Sequence, residues 1–174
     1  MSISMYQASI PVFVTVLHNM SAVLEKAAAH AAQKKIDESV FVGARLAPDM
    51  FPLSRQVQIA SDIAKAGAAR LAGAEVPRWD DNESTFAELQ ARIARTIAFV
   101  QEFSAAQIDG SEERDLRFRL AGRDSHFKGQ SYLLDFVLPN LFFHATTTYA
   151  ILRHNGLEIG KADFLGAAGY GLPT

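Results

Sequence analysis

The sequence predicts an all-α fold, a four-helix bundle with a small β-hairpin or extended insertion before the last helix. Three observations lead there. Four long stretches repeat their apolar residues at steps of three and four, one short stretch alternates at period two, and caps or breakers separate the stretches. A chain of 174 residues fits one domain, residues 1–174, and can bury roughly 70% of its unfolded surface.

The first helix is predicted from about Tyr6 to Ala32, where Ile10, Phe13, Val14, Leu17, Val23 and Leu24 recur at helical spacing. Lys34 and Lys35 suit the negative end of its dipole. The following connection, IDESVFVGARLAPDMF, holds Asp37 and Ser39 as caps for a short helix. It exceeds the 2 to 8 residues usual between bundle helices, so part of it must pack over an end.

The second long helix opens at Pro52, tolerated in a first turn, and closes at Gly73. Leu53, Val57, Ile59, Ala60, Ile63, Ala64 and Leu71 form its apolar stripe, with Gln56, Ser61 and Asp62 near the edge. A third helix starts behind the capping box of Thr85 and Glu88 and turns Phe86, Leu89, Ile93, Ile97 and Val100 inward. Beyond Asp109 and Gly110, Leu116, Phe118 and Leu120 alternate with charged neighbours around Gly122, which reads as the hairpin. Pro139 directs Leu138 toward extended backbone and starts the fourth helix, which Asn155 and Gly156 stop. From about residue 157 the chain reads as a glycine-rich tail.

Composition narrows the function classes. With 17 basic against 19 acidic residues and no dense Lys/Arg run, nucleic acid is not an expected partner. The absence of cysteine removes disulfides, thiol chemistry and cysteine-type zinc sites. The N-terminal apolar run lacks a basic region before it and is broken by Pro11 and His18, unlike a signal peptide. No uncharged apolar stretch reaches the roughly 20 residues of a membrane span, so a cytoplasmic protein without a membrane partner is expected.

The last helix, PNLFFHATTTYAILRHNG, carries the most informative pattern. Steps of four align Asn140, His144 and Thr148, with Phe143, Thr147 and Ile151 beside them, so a polar row runs through an apolar helix. Buried polar groups without partners cost roughly 1 to 3 kcal/mol, so this row lines a wet pocket or belongs to an internal hydrogen-bond network. No HxxxH or HExxH pair accompanies His144, and the remaining histidines are His18, His30, His126 and His154. Of these, His30 and His154 lie near helix ends and are expected to be exposed, and His18 could turn inward. The carboxylates nearest apolar faces are Asp62 and Asp135. No serine sits in a nucleophile elbow, and no glycine-rich phosphate loop follows a strand.

Together, the phrases MYQASIPVF, ARLAPDMFPLSRQVQIASD, SYLLDFVLPNLFFHATTTYAILRHNG and GKADFLG resemble the domain of unknown function 1993 family, within the DinB-like bundle superfamily. The resemblance runs from Met5 to about Gly166 and implies a DinB-like four-helix bundle, usually paired into a homodimer. Many DinB-like proteins hold a metal with one histidine from the second helix and an HxxxH pair from the fourth. Here His144 falls on the second position of that pair and Asn140 on the first, while the second helix offers Gln56, Gln58 and Asp62. The resemblance thus places a pocket at these residues but implies a degenerate triad, since asparagine and glutamine bind first-row divalent metals weakly.

The expected function is therefore metal-free binding of a small molecule between the helices, at His144, Asn140, Thr148, Gln56 and Asp62. No cofactor is expected, a divalent metal at His144 being the exception to test. Two alternatives stand beside it: a metal-dependent or histidine-based enzyme of the transferase or hydrolase class, and a structural homodimer module.

Overall fold

The structure, a computed structural model, describes residues 3–120 and 122–167. Helix α1 spans Met5–Lys34 behind a capping box of Ser4 and Gln7, and it continues past Pro11, which lies on its exposed side. Its inward residues, among them Ile10, Phe13, Leu17 and Leu24, are buried. Lys35 ends it in the left-handed region at φ 55°. The predicted short helix is α2, Glu38–Val42, capped by Asp37, whose Oδ1 accepts from the Ser39 amide at 2.9 Å. Phe41 closes one end of the bundle, its ring 5.9 Å from His30 and 6.4 Å from Phe86.

Helix α3, Leu53–Ala72, begins after Pro52 and ends at Gly73, φ 73°. Helix α4, Phe86–Gln101, opens on the Thr85 and Glu88 box, and all five predicted inward residues are buried. A further short helix that the sequence reading lacks, α5, spans Ala105–Ile108 and buries Ile108. Within the core, α3 packs on α4 and on the last long helix, α7, Leu138–His154, and α1 packs on both. Small residues Ala60, Ala64, Gly67 and Ala68 let α3 approach closely: a Cβ on Gly67 would stand 2.9 Å from Val137 Cγ1 and 3.3 Å from the Phe13 ring. Fully buried Phe13, Leu17, Leu53, Leu71 and Leu89 each contribute on the order of 1.5–3 kcal/mol, so burial outweighs any single polar contact in the bundle.

Strands β1, Asp115–Leu120, and β2, Arg123–Lys128, form the predicted antiparallel hairpin, with Leu116 opposite Phe127 and Phe118 opposite Ser125. Phe118 and Phe127 pack with Tyr132 and Phe136, and the Arg70 guanidinium lies 3.8 Å above the Phe118 ring.

Two sequence expectations are corrected here. Leu138 is helical, φ −62° and ψ −48°, instead of extended. The chain passes without a break from α6, Gly129–Ser131, through a turn of π-helix, Tyr132–Val137, into α7, Leu138–His154. A proline clashes with the carbonyl four residues earlier in a regular helix, and the wider π turn, where the Leu138 amide reaches Leu133, gives Pro139 that space. Nor is the segment after residue 157 a mere tail: Leu157 and Ile159 are buried, and α8, Lys161–Leu165, packs on α1. Residues 168–174 lie outside the described residues.

Candidate functional site

Helix α7 turns His144, Thr147 and Thr148 inward, and His144 retains 8% of its surface. Most of the polar row satisfies itself. The Thr147 hydroxyl donates to the Phe143 carbonyl at 2.8 Å, Thr148 to the His144 carbonyl at 2.9 Å, and Asn140 Nδ2 to the Phe136 carbonyl at 2.7 Å. These bonds stay within the helix or its π turn, and they answer the need for partners at Asn140 and Thr148 without a pocket.

His144 is different, because its partner comes from α3. Its Nδ1 stands 2.7 Å from Gln56 Oε1, and Gln56, only 1% exposed, donates from Nε2 to the Phe51 carbonyl at 3.0 Å. Among the described residues no side chain or backbone group pairs with His144 Nε2, which is also not among the sealed, unpartnered atoms. Burial, and secondarily the Arg55 charge, push the imidazole below its ordinary value of 6.5. Both effects favour the neutral ring at pH 7. Phe143 meets its ring edge-on at 5.2 Å, and Phe51 and Phe143 are each 55% exposed.

Asp62 is not part of this group. Its Oδ1 accepts from Lys65 Nζ at 2.7 Å and from Arg92 Nη2 at 2.9 Å, and Arg92 also holds Asp81 and Glu83 at 2.9 Å each. The side chains of Arg92 and Lys65 are 2% and 4% exposed. Trp79 lies between Lys65 and Arg95, each within 4.3 Å of its ring centre. This network ties the 73–85 connection to α3 and α4, and the sequence reading lacks it. The signal was there in spacing alone: Arg92 follows Leu89 by three and precedes Thr96 by four, on the inward stripe.

A cleft of about 300 Å³ lies between α1, α7 and α8, lined by Val12, Val16, Met20, Phe142, Tyr149 and Phe164 among others. Of the predicted residues only Thr148 borders it. His144 lies elsewhere on α7, five residues and about 140° of turn from Tyr149. Asn19 Nδ2 donates to the Phe164 carbonyl at 3.1 Å, and Lys26 pairs with Asp163, so α8 is fastened to α1 as one wall of the cleft.

The model of the family described as Domain of unknown function (DUF1993) matches residues 5–165. The chain belongs to this family. A solved structure similar to the DUF1993 chain is a DinB family member protein from Shewanella denitrificans, 42% identical, covering 97% of this chain and 95% of that one at a TM-score of 0.86. No curated protein matches at a significant level.

The donor set of the DUF1993 chain does not fit the three-histidine metal site that the sequence resemblance brought into question. Asn140 and Gln56 already engage Phe136 and His144, and Asp62 lies in the Arg92 network. Among the described residues no group of three or more His, Asp or Glu side chains converges to hold a metal. His18 is exposed on α1 and does not turn inward, His126 pairs with Asp115 at 2.8 Å on the hairpin, and His154 is exposed at the end of α7. His30, expected to be exposed, is half-buried against Phe41. Asp135 is exposed on the π turn.

Proposed function

We propose that this DUF1993 protein binds a small molecule where His144 reaches the surface between α3 and α7, without a metal, in the cytoplasm. One observation carries the reading: a nearly buried imidazole has one nitrogen held by Gln56 and the other without a partner among the described residues, with the exposed Phe143 ring edge-on to it. Small-molecule sites place a few directed polar groups among apolar side chains. The site residues are then His144 and Gln56, with Asn140 and Thr148 shaping α7 and Asp62 outside it. Thermal-shift screening against a metabolite library tests this. Ligand-induced shifts should vanish in His144→Ala, each compared with the variant's own baseline, and their full persistence would remove the site.

A second reading, a histidine-based transferase or hydrolase, draws on the same geometry, because a neutral imidazole with an open nitrogen is the protonation state of a general base. The homodimer draws on α1. That 30-residue helix is long and apolar enough to cross a membrane by length and composition, yet only 39% of its most apolar stretch is buried in the bundle. Its inward residues account for part of this apolarity, and a second copy lying over the α1 and α7 cleft accounts for the rest.

A further inference from the structure

We propose that His144 is held as its Nδ1–H tautomer and that the ligand of this site is a neutral hydrogen-bond donor, a hydroxyl or N–H compound with an aromatic or aliphatic body, its hydrogen donated to Nε2. The proposal rests on the binding reading above and adds the ligand class.

The Phe51 carbonyl can only accept a hydrogen bond. Of the two ends of the Gln56 amide, only the NH₂ can serve that carbonyl at 3.0 Å, so the amide oxygen has to face His144. An amide oxygen also only accepts. The proton at the 2.7 Å contact therefore belongs to His144 Nδ1, and in the neutral ring Nε2 is left as a bare lone pair.

A bare lone pair selects its partner. A carboxylate or a phosphate diester brings no hydrogen to it, and the Arg55 charge, though partly offset by its pairing with Asp81, opposes an ammonium group. Arg55 is itself paired with Asp81 and bonded to Gln58, so it stays in place. What remains is a neutral donor. The exposed ring of Phe143 offers apolar surface to its body.

Histidine-selective ¹⁵N NMR on the full-length protein tests both parts, with phenol as the probe, anisole as the same body without the donor, and benzylamine as the cation. The expected spectrum has a protonated Nδ1 and a pyridine-type Nε2 for His144. Phenol should move Nε2 and bind about tenfold more tightly than anisole, the worth of one hydrogen bond at the upper end of its range. Gln56→Met, which removes the acceptor, should shift the tautomer balance toward Nε2–H. The unliganded wild-type spectrum stands independently of whether that variant folds. A protonated Nε2 in the wild type would overturn the tautomer. Equal binding of phenol and anisole, stronger binding of benzylamine, or a response to zinc alone would overturn the ligand class while leaving a site at His144. No response of His144 to any probe or library compound would overturn the binding reading as well.

Discussion

His144 and His154 sit ten residues apart on one helix and should behave differently. Removing the His144 side chain leaves Gln56 Oε1 without its partner and opens a void between α3 and α7, at a cost of about 2 kcal/mol or more. His154 is exposed in the last turn of α7, where it has only a dipole interaction to lose, well under about 1 kcal/mol. Urea midpoints of the two alanine variants measure this, and equal midpoints would contradict the geometry at His144. The lowered pKa adds a pH signature. As pH falls below about 6.5 the unfolded chain takes up the proton first, so the stability due to neutral His144 is fully present above that pH and lost below it. The gap in midpoint between wild type and His144→Leu should narrow from about pH 7.5 to pH 5.5. A second residue pair separates buried from exposed charge. Arg92→Met takes its arginine from Glu83, the most buried of the three carboxylates, while Asp62 and Asp81 keep Lys65 and Arg55, and should cost about 2–3 kcal/mol, whereas Arg95→Met loses an exposed stacking contact with Trp79 worth about 1 kcal/mol or less. The inward aim of His144 was legible because steps of three and four leave little freedom on an apolar helix. The inward place of Arg92 was legible from the same spacing, but its role was not, because a charge on a core stripe is explained only by partners from another segment, here Asp81 and Glu83.

At the level of elements, local rules carried most of the fold. Thr85 with Glu88, Asp37, Gly73 and Gly156 end or begin helices where the sequence places them, since caps act within one turn. The rule failed at Leu138, where preference for extended backbone before proline yielded to tertiary packing: Leu133, Val137 and Leu141 are all buried, and a π turn keeps them so while accommodating Pro139. Two glycines show how local and tertiary constraints differ. Gly129 joins the hairpin to α6, and a Cβ there would stand 1.9 Å from the Ser111 carbonyl oxygen, so Gly129→Ala should cost about 3 kcal/mol or more by forcing backbone apart. Gly156 has φ 90° and nothing within 4 Å, so Gly156→Ala should cost only the backbone strain, about 1–2 kcal/mol. Thermal unfolding followed by circular dichroism ranks the two, and a milder effect at Gly129 would mean that the hairpin is not seated against Ser111.

For the whole molecule the question is what covers α1. A helix of 30 residues with an apolar outer strip beside an apolar cleft places Val12, Val16, Phe142 and Tyr149 on one side of the bundle, with α8 fastened along its edge. Net charge of −2 gives little repulsion between copies. A two-fold contact would use this same strip on both chains, and a stable one needs roughly 1,000 Å² of buried surface in total, which two 30-residue helices laid together can supply. Light scattering during size exclusion should thus report a mass about twice 19.0 kDa. Val12 is half-buried at the cleft and outside the fully buried core, so Val12→Glu should yield a folded monomer by placing an unpaired charge in the contact. A wild-type monomer at every concentration would remove the dimer. A dimer that survives Val12→Glu would instead move the contact off this face, leaving the cleft between α1, α7 and α8 open to solvent in the assembled protein.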